Sequence, residues 1–148
     1  MRITNNGKLL SILIILVVFM GGMLWYRLPK HSNNIKTVSI NGIEFKAEIA
    51  RSEAEMSLGL GKRKNLCREC AMLFEFSKSG YSSFWMKDMK FPLDIIWIDG
   101  DRVVYVAENI AADYNGTIRP TIKASRVLEI NAGFSRIYGI GEGTKIQF

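Results

Sequence analysis

Hydrophobic and polar positions follow three patterns along the chain. Leu9 to Tyr26 reads LLSILIILVVFMGGMLWY, 18 residues without a charge. As a helix at 1.5 Å per residue it reaches about 27 Å, enough to cross a hydrocarbon core. Pro29 to Lys36 is polar. From Thr37 onward, short apolar runs alternate with turn residues. TVSI and IEFKAEIA flank Asn41-Gly42, a pair suited to a type I′ hairpin turn because both central residues need positive φ. In the second arm Ile43, Phe45, Ala47 and Ile49 face one way, and Glu44, Lys46 and Glu48 the other. Ser52-Glu53-Ala54-Glu55 is a capping box, so a helix starts at Ser52. Gly59 and Gly61 end it. AMLFEF (71–76), SSFWMK (82–87), LDIIWID (93–99), RVVYVAEN (102–109), RVLEI (126–130) and the closing TKIQF read as strands. Residues 109–125 read as irregular. A short helix follows Asn131, which serves as its cap.

These elements predict a mainly β (β-rich α+β) fold. The expected body is a small antiparallel barrel or sandwich of about seven strands with two short helices. One N-terminal transmembrane helix precedes it. Residues 1–8 form a cytoplasmic n-region, 9–26 a signal anchor, 27–36 a linker and 37–148 a single β-rich domain. The lipid bilayer is thus a partner through residues 9–26. Trp25 and Tyr26 sit where amphipathic rings favour the lipid–water interface. Gly22-Met23-Leu24-Trp25 is a poor match to a cleavage site. Cleavage would give a secreted domain; retention leaves a single-pass protein of the cell membrane. Either route puts the C-terminal domain outside the cytoplasm.

Charge removes one class of partner. The formal net charge is +6, a value that suggests nucleic acid. Residues 31–148, however, carry 16 bases against 14 acids, so the excess belongs to the N-terminal segment and no nucleic-acid partner is expected. The single histidine, His31, precedes the domain. That excludes a Ser-His-Asp triad, a histidine general base and a histidine-rich zinc site within it. Cys67-Arg68-Glu69-Cys70 has no second cysteine pair to complete a metal site. Outside the cytoplasm it reads as a local disulfide closing a very short loop. No metal and no cofactor are expected. Lys62-Arg63-Lys64 reads as a solvated loop, or as one that touches anionic lipid.

Four stretches carry a family resemblance. They are Gly59-Leu60 before the basic loop, Met72-Leu73-Phe74-Glu75-Phe76, Phe84-Trp85-Met86-Lys87 with Pro92-Leu93-Asp94-Ile95, and Val127 to Gly133 (VLEINAG). In this order and spacing they resemble the prokaryotic domain-of-unknown-function family 192 over roughly residues 38–148. The resemblance implies a small β-rich domain, often behind a signal sequence, and assigns no activity. The chain departs from the family pattern at Ala71, where glycine is usual, at Asp88-Met89 and around Ala111-Ala112-Asp113.

The same residues supply the candidate site. Phe84, Trp85 and Met86 alternate faces in a strand. Either both faces are covered, or an aromatic ring floors a ligand groove. Lys87, Asp88, Lys90 and Asp94 bracket Phe91-Pro92; they form either a structural pair or turn cap, or a polar cluster at a pocket mouth. Glu129 is one acid in an apolar strand. It points to solvent, or it faces Lys87 or Asp94 across the barrel. The ligand-binding candidates are therefore Trp85, Lys87, Asp88, Asp94, Glu129 and Asn131, and none is assigned a catalytic role. The expected function is a binding or accessory module for a cell-envelope glycan or protein. The rivals are a hydrolase working through Asp94, Glu129 and Lys87, and a purely structural subunit of an envelope complex.

Overall fold

In the computed structural model, residues 34–148 are described. The membrane segment expected at residues 9–26 lies outside them. Among the described residues no helix is long and apolar enough to cross a membrane. The described residues form nine strands in chain order: β1 (Ile35–Ile40), β2 (Ile43–Ala50), β3 (Cys70–Gly80), β4 (Phe84–Trp85), β5 (Leu93–Asp99), β6 (Arg102–Ile110), β7 (Thr117–Ile118), β8 (Ala124–Asn131) and β9 (Ile146–Gln147). Among the described residues two short helices join them, α1 (Glu53–Leu58) and α2 (Phe134–Ile137). Seven strands make one sheet in the order β6-β5-β8-β3-β2-β1-β9, while β4 and β7 pair as a separate ribbon. The fold is mainly β, with a curled seven-stranded sheet forming a half-barrel. One isolated bridge, Arg102 to Lys145, and the Val103 N–H donating to the Thr144 carbonyl at 2.9 Å tie β6 to the segment just before β9.

Local sequence accounts for several elements directly. Asn41 and Gly42 adopt φ of 51° and 79°, which turns β1 into β2 in the register Ile40↔Ile43. β1 starts at Ile35, two residues before the expected Thr37. Ser52 caps α1: its hydroxyl accepts from the Glu55 N–H, and the Glu55 carboxylate accepts from the Ser52 N–H. Those backbone donors hold the Glu55 carboxyl below its usual range. Gly59, at φ 51°, terminates the helix. α1 crosses from β2 to β3, which pair in parallel. This is the one parallel pair in an otherwise antiparallel sheet, and it places a helix over the sheet's outer face.

The sheet has two covered faces. Val38, Phe45, Leu73, Ile96, Ile98, Leu128 and Ile130 belong to a cluster fed by all seven strands; a single cluster reached from every strand marks the concave side. Phe74, Leu93, Ile95, Trp97 and Val127 form the second cluster, on the convex side, with Leu60 after α1 and Met86 after β4 packed on it. Burying both faces explains why β5 and the middle of β8 are apolar without alternation.

Candidate functional site

The convex face carries two cross-strand rows. One runs Glu48–Met72–Glu129–Ile95 through β2, β3, β8 and β5. The next runs Ala50–Phe74–Val127–Trp97–Tyr105. Aromatic side chains fasten β4 over the second row. The Phe84 ring meets Phe74 edge-on at 4.9 Å and Trp97 at 5.6 Å. The Trp97 indole N–H donates to the Ser82 carbonyl at 3.1 Å. Phe84 therefore points inward and Met86 is buried, which turns Trp85 outward, with 48% of its surface exposed.

Between α1 and β4 lies a pocket of about 260 Å³. Met56 to Leu60 form one wall. Phe84, Trp85, Lys87 and Met89 form the other, with Ser82 and Ser83 alongside, and Phe74, Phe76 and Glu129 close the inner side. The size sits just under the usual range of small-molecule sites, about 300–1,000 Å³, and suits one ring-sized ligand. Gly59 is required here. Its φ of 51° is the left-handed region that favours glycine, whereas a Cβ there would make only ordinary contacts, 3.6 Å from Glu129 Oε2 and 3.5 Å from the Phe74 ring.

Glu129 is the chemical centre of the pocket. It is 5% exposed, and its Oε2 has no hydrogen-bond partner. Burial pushes its carboxyl from 4.5 up to about 8, with the positive charge of Arg63 a smaller opposing pull. Arg63 is engaged elsewhere: its guanidinium clamps Glu48 bidentately at 2.6 and 2.8 Å. At neutral pH Glu129 is therefore a neutral acid, able both to donate and to accept.

Residues 36–148 match the family DUF192, described as "Uncharacterized ACR". The chain belongs to this family. Two solved structures share the DUF192 architecture seen here. A protein of unknown function from Novosphingobium aromaticivorans DSM 12444 is 32% identical with a TM-score of 0.74, over 81% of this chain and 89% of its own. A provisionally assigned transcription regulator from Sinorhizobium meliloti 1021 is 26% identical with a TM-score of 0.68, over 70% of this chain and 81% of its own. No curated protein matches.

The DUF192 fold brings together three of the expected site residues and disperses the others. Trp85, Lys87 and Glu129 line the pocket. Glu129 is buried and does not point to solvent, because α1 covers that side of β8. Asp94 is directly opposite Ile130, one position off Glu129, so the two carboxylates lie on opposite faces of the sheet. Asp94 is wholly buried and accepts three backbone N–H bonds, from Asn109 at 2.8 Å, Gly133 at 3.0 Å and Ser135 at 2.7 Å. It thereby ties β6 to the start of α2. This corrects the cap expected from Asn131: the N-cap of α2 is Gly133, which makes no side-chain cap bond, and the Asp94 carboxylate satisfies the free N–H groups instead. Asn131 lies in β8 and donates to the Leu66 and Cys67 carbonyls at 3.3 and 3.0 Å, steadying the loop closed by the Cys67–Cys70 disulfide. Asp88 is exposed at φ 61°, and its carbonyl accepts from the Lys62 N–H at 2.8 Å, which joins the basic loop to the segment after β4. Sequence reading missed Arg63, Gly59 and the two serines. The only signal for Arg63 was its place in a basic loop; its opposite number, Glu48, is brought alongside only by the fold.

Proposed function

We propose that this chain is a membrane-anchored, extracytoplasmic module that binds one small saccharide-like ligand of the cell envelope beside Trp85. The observation that carries the reading is the buried Glu129 carboxyl, which lines the pocket and whose Oε2 has no hydrogen-bond partner. An unmade hydrogen bond of this kind costs about 1–3 kcal/mol, and a ligand hydroxyl would remove that cost. The half-exposed Trp85 ring supports the choice of ligand, being a large flat apolar surface with one N–H donor. The anchoring part of the proposal rests on the uncharged run at residues 9–26.

Two observations weigh against the rivals. A two-carboxylate hydrolase needs both acids on one substrate, whereas Asp94 and Glu129 occupy opposite faces and Asp94 is saturated with backbone donors. A purely structural subunit has no use for a buried acid left unsatisfied beside an open pocket. The regulatory role given to the Sinorhizobium protein finds no support in the near-balanced charge of residues 31–148, since duplex binding depends on neutralising several phosphates.

The test is ligand-dependent thermal stabilisation of the full chain by mono- and oligosaccharides of the envelope. Wild type is expected to melt higher with a sugar present, and Trp85→Ala to lose that gain. No shift with any saccharide would reject the reading.

A further inference from the structure

We propose that the pocket selects an anionic sugar, whose carboxylate meets Lys87 at the rim while a ring hydroxyl reaches Glu129 at the inner wall. The inference rests on the saccharide reading above and narrows it. Lys87 is exposed and lines the pocket. Among the described residues no carboxylate comes within ion-pairing distance of it. The other base near Glu129, Arg63, is held by both oxygens of Glu48. The mouth therefore offers one uncommitted positive charge, and the inner end is lined by an acid whose Oε2 has no hydrogen-bond partner.

The two poles ask for different groups. A carboxylate on the ligand would gain a charge-assisted bond to the Lys87 ammonium. At the other end, the neutral Glu129 carboxyl is both donor and acceptor, the same pair of capacities a sugar hydroxyl brings. An amine would fit neither pole. It would have to draw the proton from Glu129, and it would enter past the Lys87 ammonium at the rim towards a carboxyl that already feels the positive charge of Arg63. The remaining neighbours of Glu129, Met72 and Ile95 on the flanking strands and Gly59 after α1, bring no charge. Between the poles Trp85 and Phe84 present apolar surface to the C–H face of a ring, and the pocket volume of about 260 Å³ holds one ring.

Calorimetric titration of the detergent-solubilised full chain at pH 7 with glucuronate, glucose and glucosamine tests this. Glucuronate is expected to bind about tenfold more tightly than glucose, in line with one charge-assisted bond, with glucosamine weakest. Lys87→Gln is expected to make the glucuronate and glucose affinities equal, and Lys90→Gln, outside the pocket, to preserve their ratio. Equal affinities in the wild type, a preference for glucosamine, or loss of the ratio in Lys90→Gln would overturn the anionic-sugar assignment and leave the saccharide reading standing. No binding of any of the three would remove both.

Discussion

Replacing Glu129 by glutamine keeps the shape of the side chain and removes its ability to ionise. In the folded domain burial raises this carboxyl from 4.5 to about 8. Below pH 4.5 the group is protonated in both folded and unfolded chains, and it has no effect on the balance. Between 4.5 and 8 the unfolded chain ionises while the folded one does not, so stability falls by about 1.4 kcal/mol per pH unit. At pH 7 the accumulated cost is about 3 kcal/mol, and it levels off above pH 8. Glutamine stays neutral throughout and escapes this loss. Glu129→Gln should therefore melt with the wild type near pH 4.5 and about 12 °C above it at pH 7, taking roughly 4 °C per kcal/mol for a domain of this size. Melting followed by near-ultraviolet circular dichroism from pH 4.5 to 8 reads the difference, in which every other titrating group cancels. A gap between the two proteins that does not change with pH would refute the argument that Glu129 is buried and neutral. The same variant should still bind saccharide at pH 7, because an amide, like the neutral carboxyl, both donates and accepts.

Asp94→Asn points an amide N–H₂ at backbone donors and should cost about 2–4 kcal/mol, measured as a lower urea midpoint with pocket binding retained by the folded fraction. Trp85→Ala should leave the melting temperature within a few degrees of wild type, since the ring is half exposed, while abolishing the saccharide-induced shift. Gly61→Ala should destabilise the domain by more than about 1 kcal/mol, because the new Cβ would lie 2.8 Å from the Leu58 carbonyl and 3.2 Å from that of Lys87; an unchanged urea midpoint would contradict this. The full chain should resist carbonate extraction from membranes, and a chain lacking residues 1–30 should appear in the soluble fraction.

The parts of this fold that were readable in the sequence are those decided by neighbours along the chain. Asn41-Gly42 needs only its own dihedrals to make a hairpin, and Ser52 with Glu55 closes its capping box within one helical turn. The β5 run 93–99 is apolar enough to stand alone as a strand. β4 proved harder. Phe84-Trp85-Met86-Lys87 looks like a strand of six with its flanks, yet pairing stops after Trp85, where Met89 folds back to the Met86 carbonyl and Asp88 takes positive φ. The direction of Glu129 was not readable at all. Val127 to Ile130 is buried on both faces, so no alternation distinguishes an inward residue from an outward one. The capping of α2 failed for a similar reason. Sequence rules look for a cap within a few residues, and here the acceptor, Asp94, is 39 residues upstream of the first N–H it satisfies in that helix turn.

The pairing of β1 with β9 sets the order in which this body can be completed. Ser39 and Ile40 meet Gln147 and Ile146, so about a hundred residues of intervening chain must be gathered before that seam closes. Until then the outer flank of β1 is a row of bare amides and carbonyls, the kind of edge that recruits a neighbouring strand. Contacts this distant in sequence also slow folding. A chain emerging from ribosome or translocation pore thus passes through a long interval with its first strand unguarded. Shortening or blocking its last few residues should show up first as aggregation during biogenesis, well before any fault in the pocket.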